Sequence, residues 1–164
     1  MEVLQALKVL NKKDLEICSF ENVTDGLTNL RADFSDFETN IIKPNLDSTD
    51  SHVMLKNELN VCRQFWERTV AICKNIEDTH SLASTTSINC SASLSAGLQD
   101  LNLHAQSYKL AVKVVLYHLK GDSKFKSLQS CNDKINALEQ SFNSIITQVY
   151  SYYHGLIQEV INGR

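Results

Sequence analysis

Only one proline and five glycines occur in 164 residues, where average usage would supply about eight and about eleven. A turn-rich β protein needs more chain-reversing residues than that, so long uninterrupted helices are expected instead. Excess positive charge is also missing. Sixteen Lys and Arg stand against nineteen Asp and Glu, a net charge of −3 that does not advertise nucleic-acid binding. The most apolar run, AVKVVLYHL, carries a lysine and falls far short of the ~20 residues that span a bilayer, so no membrane insertion is expected. The opening MEVLQALKVLNKK has Glu2 before its short apolar run and lacks the order of a secretory signal.

Cysteine pairing is equally absent. Five cysteines (Cys18, Cys62, Cys73, Cys90, Cys131) are an odd number with no C-x-x-C, and most fall at or near apolar helical positions. Reduced, buried thiols in a cytoplasmic setting are expected, which makes the sequons at Asn22 and Asn89 chance matches. A helical interior raises a thiol pKa, the wrong direction for a nucleophile. Neither a phosphate-binding loop nor a dinucleotide fingerprint occurs. Glu77-Asp-Thr-His80 has the E-x-x-H spacing of di-iron bundles, but those need a second such pair. No other histidine (His52, His104, His118, His154) has a glutamate three positions before it. The expectation is no enzyme, no metal and no cofactor.

What the chain does have is heptad spacing. In VTDGLTNLRADFSDFETNI the apolar positions Val23, Leu27, Leu30, Phe34, Phe37 and Ile41 step by four and three, the pattern of a coiled-coil seam. Similar seams run through Leu55, Leu59, Cys62, Trp66, Thr69, Cys73, Ile76, His80 and Ala83, and through Leu94, Leu98, Leu101, Ala105, Tyr108, Val112, Val115 and Leu119. The last contains Leu128, Cys131, Ile135, Leu138, Phe142, Ile145, Val149, Tyr152 and Leu156. Phe65 and Ile72 widen the second of these beyond a two-stranded seam.

Punctuation between the seams predicts helices at about 2–18, 22–42, 51–83, 93–120 and 123–161. Asn22 is the expected cap of the second helix and Lys43-Pro44-Asn45 its stop. Thr49, Asp50 or Ser51 caps the third, a connection lies somewhere in 84–93, and Gly121 supplies a left-handed stop before the cap Asp122. The fold class is all-α: one domain over 1–164, an elongated antiparallel helical bundle or coiled coil of four long helices plus a short N-terminal helix. A final helix of nearly 40 residues would span about 60 Å and outrun its neighbours, leaving seam for another protein.

The candidate partner interface is therefore Val23, Leu27, Leu30, Phe34, Phe37 and Ile41 together with Val149, Tyr150, Tyr152, Tyr153 and Leu156. Tyrosines at such a place are suited to anchor an interface. A candidate basic patch comprises Lys109, Lys113, Lys120, Lys124 and Lys126, although a charged face of this kind is in most cases simply solvated. Two classes of function fit: a non-catalytic subunit of a larger coiled-coil hetero-oligomer, and a self-contained helical-bundle adaptor.

In size and in the seams Val23 to Ile41, Leu94 to Leu119 and Leu128 to Leu156, the chain resembles the small coiled-coil subunits of mitotic spindle complexes, those of augmin above all. Subunits of kinetochore and vesicle-tethering complexes carry similar seams. The augmin resemblance implies a cytoskeletal location on the spindle, within a complex that binds microtubules and recruits γ-tubulin ring complexes to nucleate new ones. A basic tail associated with microtubule binding in such complexes is absent, so the resemblance implies a structural role and indirect microtubule association. Replacing both Leu27 and Phe34 by aspartate should abolish folding or partner association, read by circular dichroism and by partner recovery; wild-type behaviour in both would remove the basis of the seam argument.

Overall fold

A computed structural model describes residues 19–46, 50–86 and 89–162; the helix expected at 2–18 and Cys18 lie outside these residues. Every regular element among them is helical. The first, α1, is Phe20–Phe37, followed by a π-turn at Glu38–Ile42 and a three-residue helical tail, Lys43–Asn45. Next come α2 at Asp50–Thr86, α3 at Ser91–Gly121, the short α4 at Ser123–Lys126 and α5 at Gln129–Ile161.

The start of α1 lies before the expected Asn22. Ser19 is the cap, and its side chain accepts the Asn22 backbone N–H at 3.2 Å, satisfying one of the orphan donors of the first turn. This places Phe20 inside the helix, where its ring meets His80, Tyr152 and Tyr153 at 5.7–6.1 Å between centroids. The end differs too. Helical backbone continues through Pro44 to Asn45, because the preceding turn has widened: the Lys43 N–H reaches back to Glu38 O rather than closing an α-turn. The Asn45 side chain then donates to Ile41 O at 2.7 Å, serving a carbonyl near the helix end.

The inserted π residue also shifts the seam. After Phe37 the next fully buried side chain is Ile42, and Ile41 is only half-buried. Glu38 is carried inwards by the same turn, to 5% exposure, where Lys43 Nζ at 3.5 Å and Arg63 Nη2 at 3.6 Å neutralise it.

Side-chain contacts give the helix directions. Trp66 Nε1 donates to Leu27 O at 3.0 Å while Phe20 meets His80, so α1 and α2 run antiparallel. Phe65 against His104 and His118 on Glu58 make α2 and α3 antiparallel. Phe34 meets Phe142 and Phe20 meets Tyr152, which orients α1 antiparallel to α5. Gly97 faces Ile76 so closely that a Cβ there would come to 3.0 Å from its Cγ1, which lets α2 and α3 approach tightly.

At the corner after α3, Gly121 remains in the helix without a left-handed backbone, and the turn falls on extended Asp122. The Asp122 side chain accepts from Lys124 N at 2.9 Å, as a cap should. A single helix over 123–161 does not form. Phe125, fully buried, plugs the end of the core against the His52 ring, and the chain turns at Ser127 and Leu128 before α5 begins.

These differences remove the overhang. α5 has 33 residues and α2 has 37, about 50 Å and about 55 Å by the helical rise. Phe20 and Glu77 of α2 meet Tyr153 near the end of α5, and Val149, Tyr153 and Ile157 are all fully buried. From Phe142 onwards the buried set of α5 is Phe142, Ile146, Val149, Tyr153 and Ile157, with Ile145, Tyr152 and Leu156 half-buried. A straight α-helix drifts by ~20° per heptad against a strict 3.5-residue repeat, and here neighbouring residues were available to take over the inward position.

Burial pushes the Cys62 and Cys73 thiols from an ordinary 9.0 up to about 12; the carboxylates of Glu58 and Glu38 add to the effect at Cys62, and that of Glu77 at Cys73. Between those values the unfolded chain releases protons that the folded chain keeps. The corresponding stability is therefore complete below pH 9 and lost as pH rises towards 12. Urea midpoints should fall from about pH 9 to about pH 11, and less steeply in a Cys62→Ala, Cys73→Ala variant. An identical slope in that variant would rule out the thiols as a cause.

Candidate partner-binding face

Burial decides which apolar residues are free to meet another molecule. Val23, Leu27, Leu30, Phe34 and Phe37 are at most 3% exposed, and Val149 and Tyr153 are at 0%, all within this chain's own core. Ile41, Tyr150, Tyr152 and Leu156 are half-buried against it. Seven of the eleven residues of the expected partner interface are thus packed in the interior, and the other four keep part of their surface open. Tyr153 is further tied down by its hydroxyl, which donates to Glu77 Oε2 at 2.7 Å.

The five lysines fall on two successive helices. Lys109 is half-buried on α3 and Lys113 is exposed one turn later, whereas Lys124 and Lys126 lie beyond the corner on α4. Lys120 Nζ is bound to both carboxylate oxygens of Glu139 at 3.2 Å. As for chemistry, Glu77 is engaged by Tyr153 and His80 stacks edge-on to Phe20, so the E-x-x-H pair is dispersed among structural contacts. Among the described residues no group of three or more metal-ligating side chains converges. Burial also raises the Cys131 thiol, as it does Cys62 and Cys73.

A different face is open. On α3 the expected seam from Leu94 to Leu119 is buried throughout, yet a second set of large side chains points outwards: Leu103 at 61% exposure, Leu110 at 62%, Val114 at 37% and Tyr117 at 74%. Their spacing is seven, four and three, so they fall on one stripe of the helix. On the adjoining side of α2 lie Met54, 61% exposed, and Val61, 41% exposed, seven residues apart, with half-buried Phe65 one turn further on. Because α2 and α3 are antiparallel, the two stripes run side by side.

Between them is a groove of about 390 Å³ whose lining includes Val61, Phe65, Leu110, Ala111 and Val114. It leads towards a second hollow of about 640 Å³ near the corner, bordered by Met54 and Tyr117. The Arg68 guanidinium lies over the Phe65 ring, 5.8 Å from its centre, and so stands on the α2 rim. Lys113 occupies the other rim, three residues after Leu110 and four before Tyr117. Glu58, at the groove's inner wall, is paired with His118 Nδ1 at 2.8 Å.

One sequence signal for this face existed. AVKVVLYHL is apolar almost all round, which a helix buried on one side only does not need. No family model, curated protein or solved structure matches the chain.

Since Leu110 and Val114 contribute little to the core, a Leu110→Ser, Val114→Ser variant should unfold within about 1 kcal/mol of the wild type. Leu101→Ser, at a buried position of the same helix, should cost several times as much. Urea denaturation compares them, and equal losses would make the outer stripe part of the core.

Proposed function

We propose that the chain is a non-catalytic structural subunit of a multi-protein helical complex, and that it works as an elongated antiparallel bundle whose α2/α3 face holds a partner helix. The observation that supports this reading is the exposed stripe from Leu103 to Tyr117, set beside Met54 and Val61. Apolar surface withdrawn from water returns about 25 cal/mol per Å². Contiguous apolar patches beyond a few hundred Å² are uncommon on soluble monomers and mark interaction sites.

The specific assembly proposed is of the augmin type, in which the chain serves microtubule-dependent recruitment of the γ-tubulin ring complex on the mitotic spindle without touching the microtubule itself. The resemblance of its helical seams to those of small spindle subunits supports that assignment. The closed core speaks for a bundle able to fold by itself, so the chain acts as an adaptor within the complex rather than as one strand of a shared coiled coil. No helix among the described residues is long and apolar enough to cross a membrane.

Affinity purification of the full chain from mitotic cells should recover stoichiometric helical subunits together with γ-tubulin. Recovery of kinetochore or vesicle-tethering subunits in their place would overturn the spindle assignment, and a monomer without stoichiometric partners would overturn the subunit reading.

A further inference from the structure

The charge around the open face narrows what can occupy it. Along the groove the α2 rim carries Arg68, above Phe65 and two turns beyond Val61, and α3 carries exposed Lys113 three residues after Leu110, while Asn57 and Ser107 are neutral members of the lining. The nearest carboxylate, that of Glu58, is already joined to His118. Asp100 is the acidic residue closest to the far end, three positions before Leu103. The central groove is thus an apolar trough between two cationic edges.

We infer that this groove takes a single amphipathic helix of a different protein, with an apolar stripe seated on Val61, Phe65, Leu110 and Val114 and with acidic residues on both flanks of that stripe, facing Arg68 and Lys113. This rests on the subunit reading and adds the chemistry of the partner. The stripe on α3 from Leu103 to Tyr117 is about 21 Å long by the helical rise, so four turns of partner helix cover it. A helix laid in a groove between two helices reads its ligand through anchors at i, i+3, i+4 and i+7, the spacing this face already presents.

Two other occupants fit less well. A second copy would bring Arg68 and Lys113 of each chain against rims of the same sign, a like-charge juxtaposition that disfavours pairing. An anionic membrane would meet the charges, but Phe65 and Ala111 are half-buried in the trough and a flat surface leaves them unfilled.

The test uses the full chain and two labelled peptides of about three heptads, both with leucine at a and d, one with glutamate and one with lysine at e and g. Fluorescence anisotropy should show the glutamate peptide binding and the lysine peptide failing to bind. Leu110→Glu should weaken binding by at least about tenfold, as should raising the salt to roughly 0.5 M. An Arg68→Glu, Lys113→Glu variant should reverse the preference between the peptides. Leu110 is largely exposed, so circular dichroism of Leu110→Glu should match the wild type.

Absence of binding by either peptide, or equal binding of both, overturns the inference. Dimerisation abolished by Leu110→Glu, seen by sedimentation, assigns the face to a second copy and overturns it as well. So does Leu110-dependent binding to phosphatidylserine vesicles that exceeds binding to the glutamate peptide. Failure here is separable from failure of the subunit reading: stoichiometric partners recovered equally by wild type and Leu110→Glu leave the subunit role standing and remove only the groove.

Discussion

Phe142 joins α5 to two other helices of the core. Its ring meets Phe34 of α1 edge-on at 5.9 Å and Tyr108 of α3 at 5.1 Å, so three helices converge on one side chain that is 2% exposed. Aromatic pairs in this geometry contribute about 0.5–1.5 kcal/mol each beyond the area they bury. Register follows from it. With Phe34 fixed against Phe142, Phe20 comes to the Tyr152 and Tyr153 end of α5, and the inward positions of both helices are decided. The arrangement has one cost, since the Tyr108 hydroxyl is buried without a hydrogen-bond partner and burial raises its pKa.

The parts of the fold that were legible in the sequence are those where spacing alone decides. Every position of the α3 seam from Leu94 to Leu119 is buried, because its heptads continue without interruption and no competing inward residue adjoins most of them. Legibility failed where a local event changed the phase. The π-turn at Glu38–Ile42 exchanges Ile42 for Ile41, and Pro44, which normally terminates a helix, sits beyond a turn already widened. On α5 the pairs Ile145/Ile146, Tyr152/Tyr153 and Leu156/Ile157 are all apolar. The positions of the helices packed on α5, chiefly α3 and α1, determine which member of each pair turns inwards. The break at Ser127 and Leu128 likewise depends on Phe125 filling the end of a core whose shape local sequence does not specify.

The site was less legible than the fold, for a related reason. Heptad spacing identifies residues that want to be covered and is silent on whether the cover is internal. Val23 to Phe37 have the spacing of an interface and, with Val149 and Tyr153, are spent inside, whereas Leu103, Leu110, Val114 and Tyr117 were masked by the stronger seam they interleave with. The surplus is what distinguishes them. A helix needs roughly one apolar stripe to join a bundle, and α3 has two.

That the second stripe lies on α2 and α3 has consequences for how it can bind. These two helices form the most extensive contact in the molecule, drawn close by Gly97 against Ile76 and joined across the groove by Glu58 and His118. The backbones that carry the outward side chains are therefore held in position before any partner arrives. A groove built on packed helices requires little ordering on association, which is the largest avoidable cost of binding. α1 offers the opposite case. It contains Gly26, is shorter than α2, α3 and α5, and ends in a π-turn, so an interface mounted on it would spend binding energy on holding the helix still. The physical division of labour is that α1 and α5 spend their apolar residues on closing the core, and α2 and α3 also carry excess apolar surface on the outside, where a closely packed pair of rods can present it.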